Sequence, residues 1–121
     1  MFFDETPRLV EFVANWAHTL THCAKVLARI GIHVVGDGEL QDVRQSMIVA
    51  LDEIDNRPIS DEIRSAIWAL TLRWLAAGDL IVSYAENGAE FREAIILDAL
   101  GQVEMLVTIA SGLLDQRDAM N

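Results

Sequence analysis

Apolar residues recur at intervals of three and four along almost the whole chain, and this fixes more about the fold than any other feature. Leu9, Phe12, Val13, Trp16, Leu20, Cys23, Leu27 and Ile30 follow this spacing. So do Leu40, Val43, Met47, Ala50, Leu51 and Ile54, then Ile63, Ala66, Ile67, Leu70, Trp74 and Ala77. A period near 3.6 places each set on one helical stripe, whereas a strand would alternate every second residue. Breaks fall at residues 31–38, 56–60 and 87–88, where Gly, Pro, Asn and Ser collect. Four helical segments result.

The first is expected over residues 6–30. Thr6 is placed to cap it and Pro7 suits a first-turn position that needs no N–H. Gly31 is placed for a left-handed C-terminal cap, with Ile32 folding back on the last turn. The second is expected over residues 38–55, capped by Asp37 and stopped by Arg57-Pro58. Ser60 caps the third, and Asp61 and Glu62 suit the positive end of its dipole. Ile81, Tyr84 and Ala85 keep the phase of Ile63, Leu70 and Trp74 across Gly78. One helix continuing to Asn87-Gly88 is therefore expected, with a kink or break at Gly78, or a short strand over residues 80–85 after it, as the alternatives. The fourth runs over residues 89–117, with 118–121 fraying. Its apolar arc, from Phe91 to Leu114, covers close to half the circumference, which suggests the most buried helix. The expected fold is all-α, a single-domain four-helix bundle over residues 1–121.

Composition then excludes function classes. The chain has 121 residues, 52% of them hydrophobic, and a net charge of −10 from 19 acids and 9 bases. Disorder needs low hydrophobicity, and a disulfide scaffold needs more than Cys23. The acidity argues against direct nucleic-acid binding. No stretch reaches the length of uninterrupted apolar residues that a membrane span needs, and residues 1–6 lack the basic start of a secretory signal. A cytoplasmic protein without membrane contact is the expectation. The charge is uneven: residues 1–36 balance 3 acids with 3 bases, residues 37–62 hold 8 acids and 2 bases, and residues 63–121 hold 8 and 4.

Two surfaces stand out. Trp68, Leu72 and Leu75 form a second apolar row on the third helix, continued by Val82, with Arg64 one turn before Trp68 and able to stack on it. Such a row implies either a central helix or an interface, and the expectation is a homodimer formed through Arg64, Trp68, Leu72 and Leu75 of the third helix. A groove for a small apolar ligand is a third reading. Asp52, Glu53, Asp55, Asp61 and Glu62 form an acidic side suited to a basic protein partner. Ala94, Gly101, Met105, Thr108 and Gly112 make a row on the less apolar side of the fourth helix, where small residues admit a close neighbour.

Catalytic and metal patterns are weak. His18 and His22 share a stripe with Glu11, but Lys25 and Arg29 on the same stripe oppose a dication. Asp52-x-x-Asp55 and Glu90-x-x-Glu93 are the nearest pairs to the carboxylate–Mg²⁺ motifs of all-α nucleotide pyrophosphohydrolases, and they do not match. Arg29 and His33 lie too close in sequence for a helical ribonuclease signature. Cys23 sits on the apolar face as a small core residue. No cofactor and no metal is expected. The function expected is a small acidic, non-enzymatic interaction or regulatory module, homodimeric, acting as an inhibitor on a basic protein surface. The rival class is a small all-α enzyme with a carboxylate–metal site for nucleotides.

Overall fold

A computed structural model describes residues 6–34, 39–87 and 90–120. It is an all-α four-helix bundle of α1 (Thr6–Ala28), α2 (Leu40–Asp55), α3 (Asp61–Asn87) and α4 (Glu90–Met120). The expected roles of Asp37, Gly38, Gly88 and Ala89, and of the Phe91 side chain, lie outside the described residues.

The helix ends form as the local chemistry dictates. Gly31 has φ +81°, the Gly31 N–H donates to the Ala28 carbonyl and the Ile32 N–H to the Leu27 carbonyl. This is the Schellman closure that a glycine at this position permits, and Ile32 folds back into the core. The Ile63 N–H donates to Ser60 Oγ at 3.2 Å, which caps α3. The α2 helix starts two residues later than expected, with Glu39 at its N-cap making no side-chain bond there.

Helix α3 runs unbroken through Gly78. It is the hub: among the described residues α1, α2 and α4 all pack on it, α1 also packs on α4, and α2 packs on no helix but α3. Phe12 meets Tyr84 and Trp16 meets Trp74, so α1 is antiparallel to α3. Arg44 reaches Asp79 and Arg64 reaches the Ile54 carbonyl, so α2 is antiparallel too. Arg8 pairs with Glu93 and Arg29 with Asp115, so α1 and α4 run parallel.

The expectation that α4 is the most buried helix is corrected. Helix α3 buries Ile63, Ile67, Leu70, Thr71, Trp74, Leu75, Ala77, Ile81 and Tyr84, against Ile96, Leu100, Val103, Ala110 and Leu114 of α4. The breadth of an apolar arc states how much surface needs cover, not which helix gains neighbours on both sides. Part of the α4 arc stays in solvent: Ile95, Leu97, Met105 and Ile109 are each more than 40% exposed.

The core centres on two tryptophans. Trp16 and Trp74 stack at 4.3 Å between ring centroids, inclined by 15°. Each indole N–H donates to the other residue's backbone carbonyl, at 3.0 and 3.2 Å. The reciprocal bonds satisfy both buried polar edges, so the pair adds stacking of ~0.5–1.5 kcal/mol without a desolvation debt. Gly78 makes room for it. A Cβ there would overlap Trp16 Cζ2 and lie 3.0 Å from Cε2 and Cη2.

Two helical stretches, Asp61–Glu86 and Glu93–Met120, are long and apolar enough to cross a membrane by length and composition. No uninterrupted apolar run of that length occurs in the sequence, but a window that holds one or two charges also qualifies. Within the bundle 39% of the first window and 22% of the second are buried.

Candidate interaction surface on helices α2 and α3

The residues singled out from the sequence separate into distinct environments. Leu75 is buried at 8% exposure, whereas Trp68 and Leu72 keep 40% and 41% and Val82 keeps 46%. Part of the second apolar row of α3 is thus covered from within the chain and part is not.

Arg64 turns away from Trp68. Its guanidinium donates to the carbonyls of Ile54, Asp55, Arg57 and Ile59 at 3.1–3.4 Å. The last carbonyls of a helix have no intrahelical donor, and a cation there also meets the negative end of the dipole. Arg64 therefore closes α2 and holds the α2–α3 turn, a role that stacking on Trp68 would forfeit. No cation–π contact joins the two among the described residues, where Arg8 over Phe12 is the contact found.

Two stripes define the exposed α2–α3 face. On α2, Arg44, Ile48, Leu51 and Asp55 are spaced four, three and four apart. On α3, Asp61, Trp68, Leu72 and Asp79 are spaced seven, four and seven apart. The Arg44–Asp79 ion pair, 2.8 Å, ties the stripes together at one end. The short 56–60 connection joins them at the other. Between these ends lie Ile48, 40% exposed, half-buried Leu51, Trp68 and Leu72.

Beyond the ion pair α3 outruns α2, and a pocket of about 210 Å³ opens there. Its walls are Trp16, Gln41, Leu75 and Val82, its floor is Gly78, and Arg44 and Asp79 form its rim. Sequence reasoning missed this pocket. Its one-dimensional signal was Gly78 inside an otherwise regular apolar phase, but the Trp16 wall comes from another helix.

The acidic residues gather at the opposite end. Asp52, Asp55, Asp61 and Glu62 are exposed and form no ion pair among the described residues. Glu53 is half-buried and lies 3.8 Å from Arg57. The face thus presents a pocket, an apolar strip and then four free carboxylates.

The His18/His22 stripe partly belongs to the α1–α4 seam. His22 Nδ1 lies 3.0 Å from Glu104 Oε1, and the rings of His18 and His22 meet edge to face at 4.6 Å. Arg8 pairs with Glu93, so that carboxylate is engaged within the fold. Arg29 reaches Asp115 and Asp118, each at 2.9 Å. Arg29 and then Arg117 hold the Asp118 carboxyl below its ordinary value. Burial, then the Glu104 charge, pushes the Cys23 thiol up to about 12. Among the described residues no three His, Cys, Asp or Glu side chains converge to hold a metal. Comparison of the chain with protein-family models, with curated proteins and with solved structures found no match.

Proposed function

We propose that the protein is a small, non-enzymatic interaction module whose α2–α3 face receives an amphipathic, basic segment of a partner protein. The observation that carries this reading is the set of exposed apolar side chains Ile48, Trp68 and Leu72 on adjoining stripes, running from a side-chain-sized pocket to an acidic end. The distance from Val82 to Trp68 is fourteen residues, ~21 Å at the helical rise, which matches about four turns of a docked helix.

The energetics are modest and separable. Covering each of the three half-exposed side chains contributes roughly 1 kcal/mol, scaled from full burial. Each carboxylate at the acidic end contributes ~0.2–1 kcal/mol toward a rim lysine or arginine, and more to its encounter rate. The apolar strip therefore sets dissociation, and Asp52, Asp55, Asp61 and Glu62 select the sign of the partner. An inhibitor acting on a basic protein surface is one role that this chemistry suits.

Selection of displayed four-turn helical peptides on the folded protein tests the reading. Enrichment of apolar residues at helical spacing, with Lys or Arg clustered toward one end, is expected. Binding is expected to weaken at least tenfold with Trp68→Glu and to lose its basic preference with Asp55→Lys/Asp61→Lys. Failure to enrich any binder, or binders indifferent to both variants, contradicts it.

A further inference from the structure

The outer face of α4 carries large apolar side chains that the described residues leave about half exposed. Met105 is 56% exposed, Leu97 and Ile109 46% each. Residues 94–114 contain two acids, Asp98 and Glu104, and no base, in a chain of net charge −10. Glu104 is engaged by His22. The adjoining helix is as bare of charge, since residues 12–24 of α1 hold no Asp, Glu, Lys or Arg. Two copies of so acidic a chain meet with least repulsion through this side.

Its residue spacing suits contact with a second copy of itself. Gly101 leaves open space, with nothing within 4 Å of where a Cβ would stand. It lies in a groove of about 310 Å³ between α1 and α4, walled by Asn15, His18 and Leu97. Ile109 projects four residues beyond Met105, and Gly101 lies four residues before it. An antiparallel two-fold crossing at Met105 pairs each residue n with residue 210 − n of the other copy. Ile109 of each copy then packs level with Gly101 of the other, where no side chain competes for the space, Met105 meets its equivalent on the axis, and Asp98 faces Gly112. The two Asp98 residues stand ~21 Å apart, beyond two Debye lengths at physiological salt. The apolar stretch from Ile95 to Leu113 is ~27 Å long, and a helix seated between α1 and α4 touches both walls. That buries on the order of 600 Å² per copy, the lower end of the range for specific interfaces.

We infer that the α1–α4 side is the homodimer interface, with a second copy of this chain docked antiparallel about Met105, on the side of the molecule away from the α2–α3 face. This does not rest on the docking reading above, and the two fail separately. Sedimentation velocity over a wide concentration range tests it. The wild-type chain is expected to show a monomer–dimer equilibrium. Ile109→Asp and Gly101→Leu are each expected to weaken it at least thirtyfold. Gly101→Leu should do so with an unchanged or raised melting temperature, because it removes a helical glycine and its Cβ stands in open space, with the groove to receive the rest of the side chain. Met105→Cys is expected to cross-link on oxidation, and Trp68→Glu to leave the dimer intact. A wild-type chain that stays monomeric overturns the inference. So does a Gly101→Leu variant that still dimerises, loss of the dimer in Trp68→Glu alone, or an α4 face that binds zwitterionic lipid vesicles without self-association.

Discussion

Replacing Gly78 by Ala separates a packing requirement from a backbone preference. Alanine is the better helix former by ~1 kcal/mol, so propensity alone predicts stabilisation. The structure predicts the reverse. The new Cβ overlaps the Trp16 ring at Cζ2 and crowds Cε2 and Cη2 at 3.0 Å. That ring cannot swing aside, because Trp74 stacks on it and its N–H is bonded to the Trp74 carbonyl. Overpacking of this kind costs ~1–3 kcal/mol, and a lost buried indole bond leaves a donor unsatisfied at ~1–3 kcal/mol more. Set against the propensity gain, the net is a destabilisation of about 1–5 kcal/mol, centred near 3, or roughly 10 °C in a domain of this size. Gly112→Ala is the internal control, since nothing lies within 4 Å of a Cβ there; it should stabilise by up to ~1 kcal/mol. Urea unfolding at low micromolar concentration, followed by circular dichroism, reads both. If Gly78→Ala is as stable as the wild type, the tryptophan pair yields and its fixed geometry is not what requires the glycine.

Two further outcomes follow from named side chains. Arg64→Met should cost about 2 kcal/mol, because the carbonyls that close α2 lose a charged donor that spans them; hydrogen exchange should rise first at the α2–α3 turn. Cys23 should react with a soluble disulfide reagent at pH 8 about a thousandfold or more slower than a free thiol, since a thiol held near 12 is almost wholly protonated there. The folded value lies above the unfolded one. The stabilisation is therefore complete below about pH 8.5 and is lost as the pH rises through 12, on the order of 4 kcal/mol in all. Cys23→Ala should remove that alkaline slope from a pH series of unfolding midpoints.

The helices and several of their ends were legible in the sequence because caps and apolar period are local. Gly31 and Ser60 announce their turns, and the phase kept from Leu70 to Tyr84 announces one helix through Gly78. What the sequence could not convey is which faces meet. The second row of α3 divides, Leu75 inward and Trp68 and Leu72 outward, a division that helical spacing within α3 does not carry. Arg64 was read against its helical neighbour Trp68, but its carbonyl partners belong to the preceding helix end and turn. The pocket beside Gly78 needed a ring from α1, sixty-two residues earlier in the chain. The apolar strip and the acidic end, two separate surfaces in the sequence, adjoin because α2 packs antiparallel along α3.

Trp68 offers the most direct measurement of the proposed docking face. Trp16 and Trp74 are 5% and 1% exposed, so Trp68 is the one indole that a soluble quencher reaches. Acrylamide quenching of the wild-type fluorescence, without and then with a basic amphipathic helical peptide, reports cover on this strip alone. The account predicts that the peptide shields Trp68 and that the shielding is lost in Ile48→Asp/Leu72→Asp, whose secondary structure should be unchanged. Quenching that stays the same while the peptide binds would place the contact elsewhere and contradict the account.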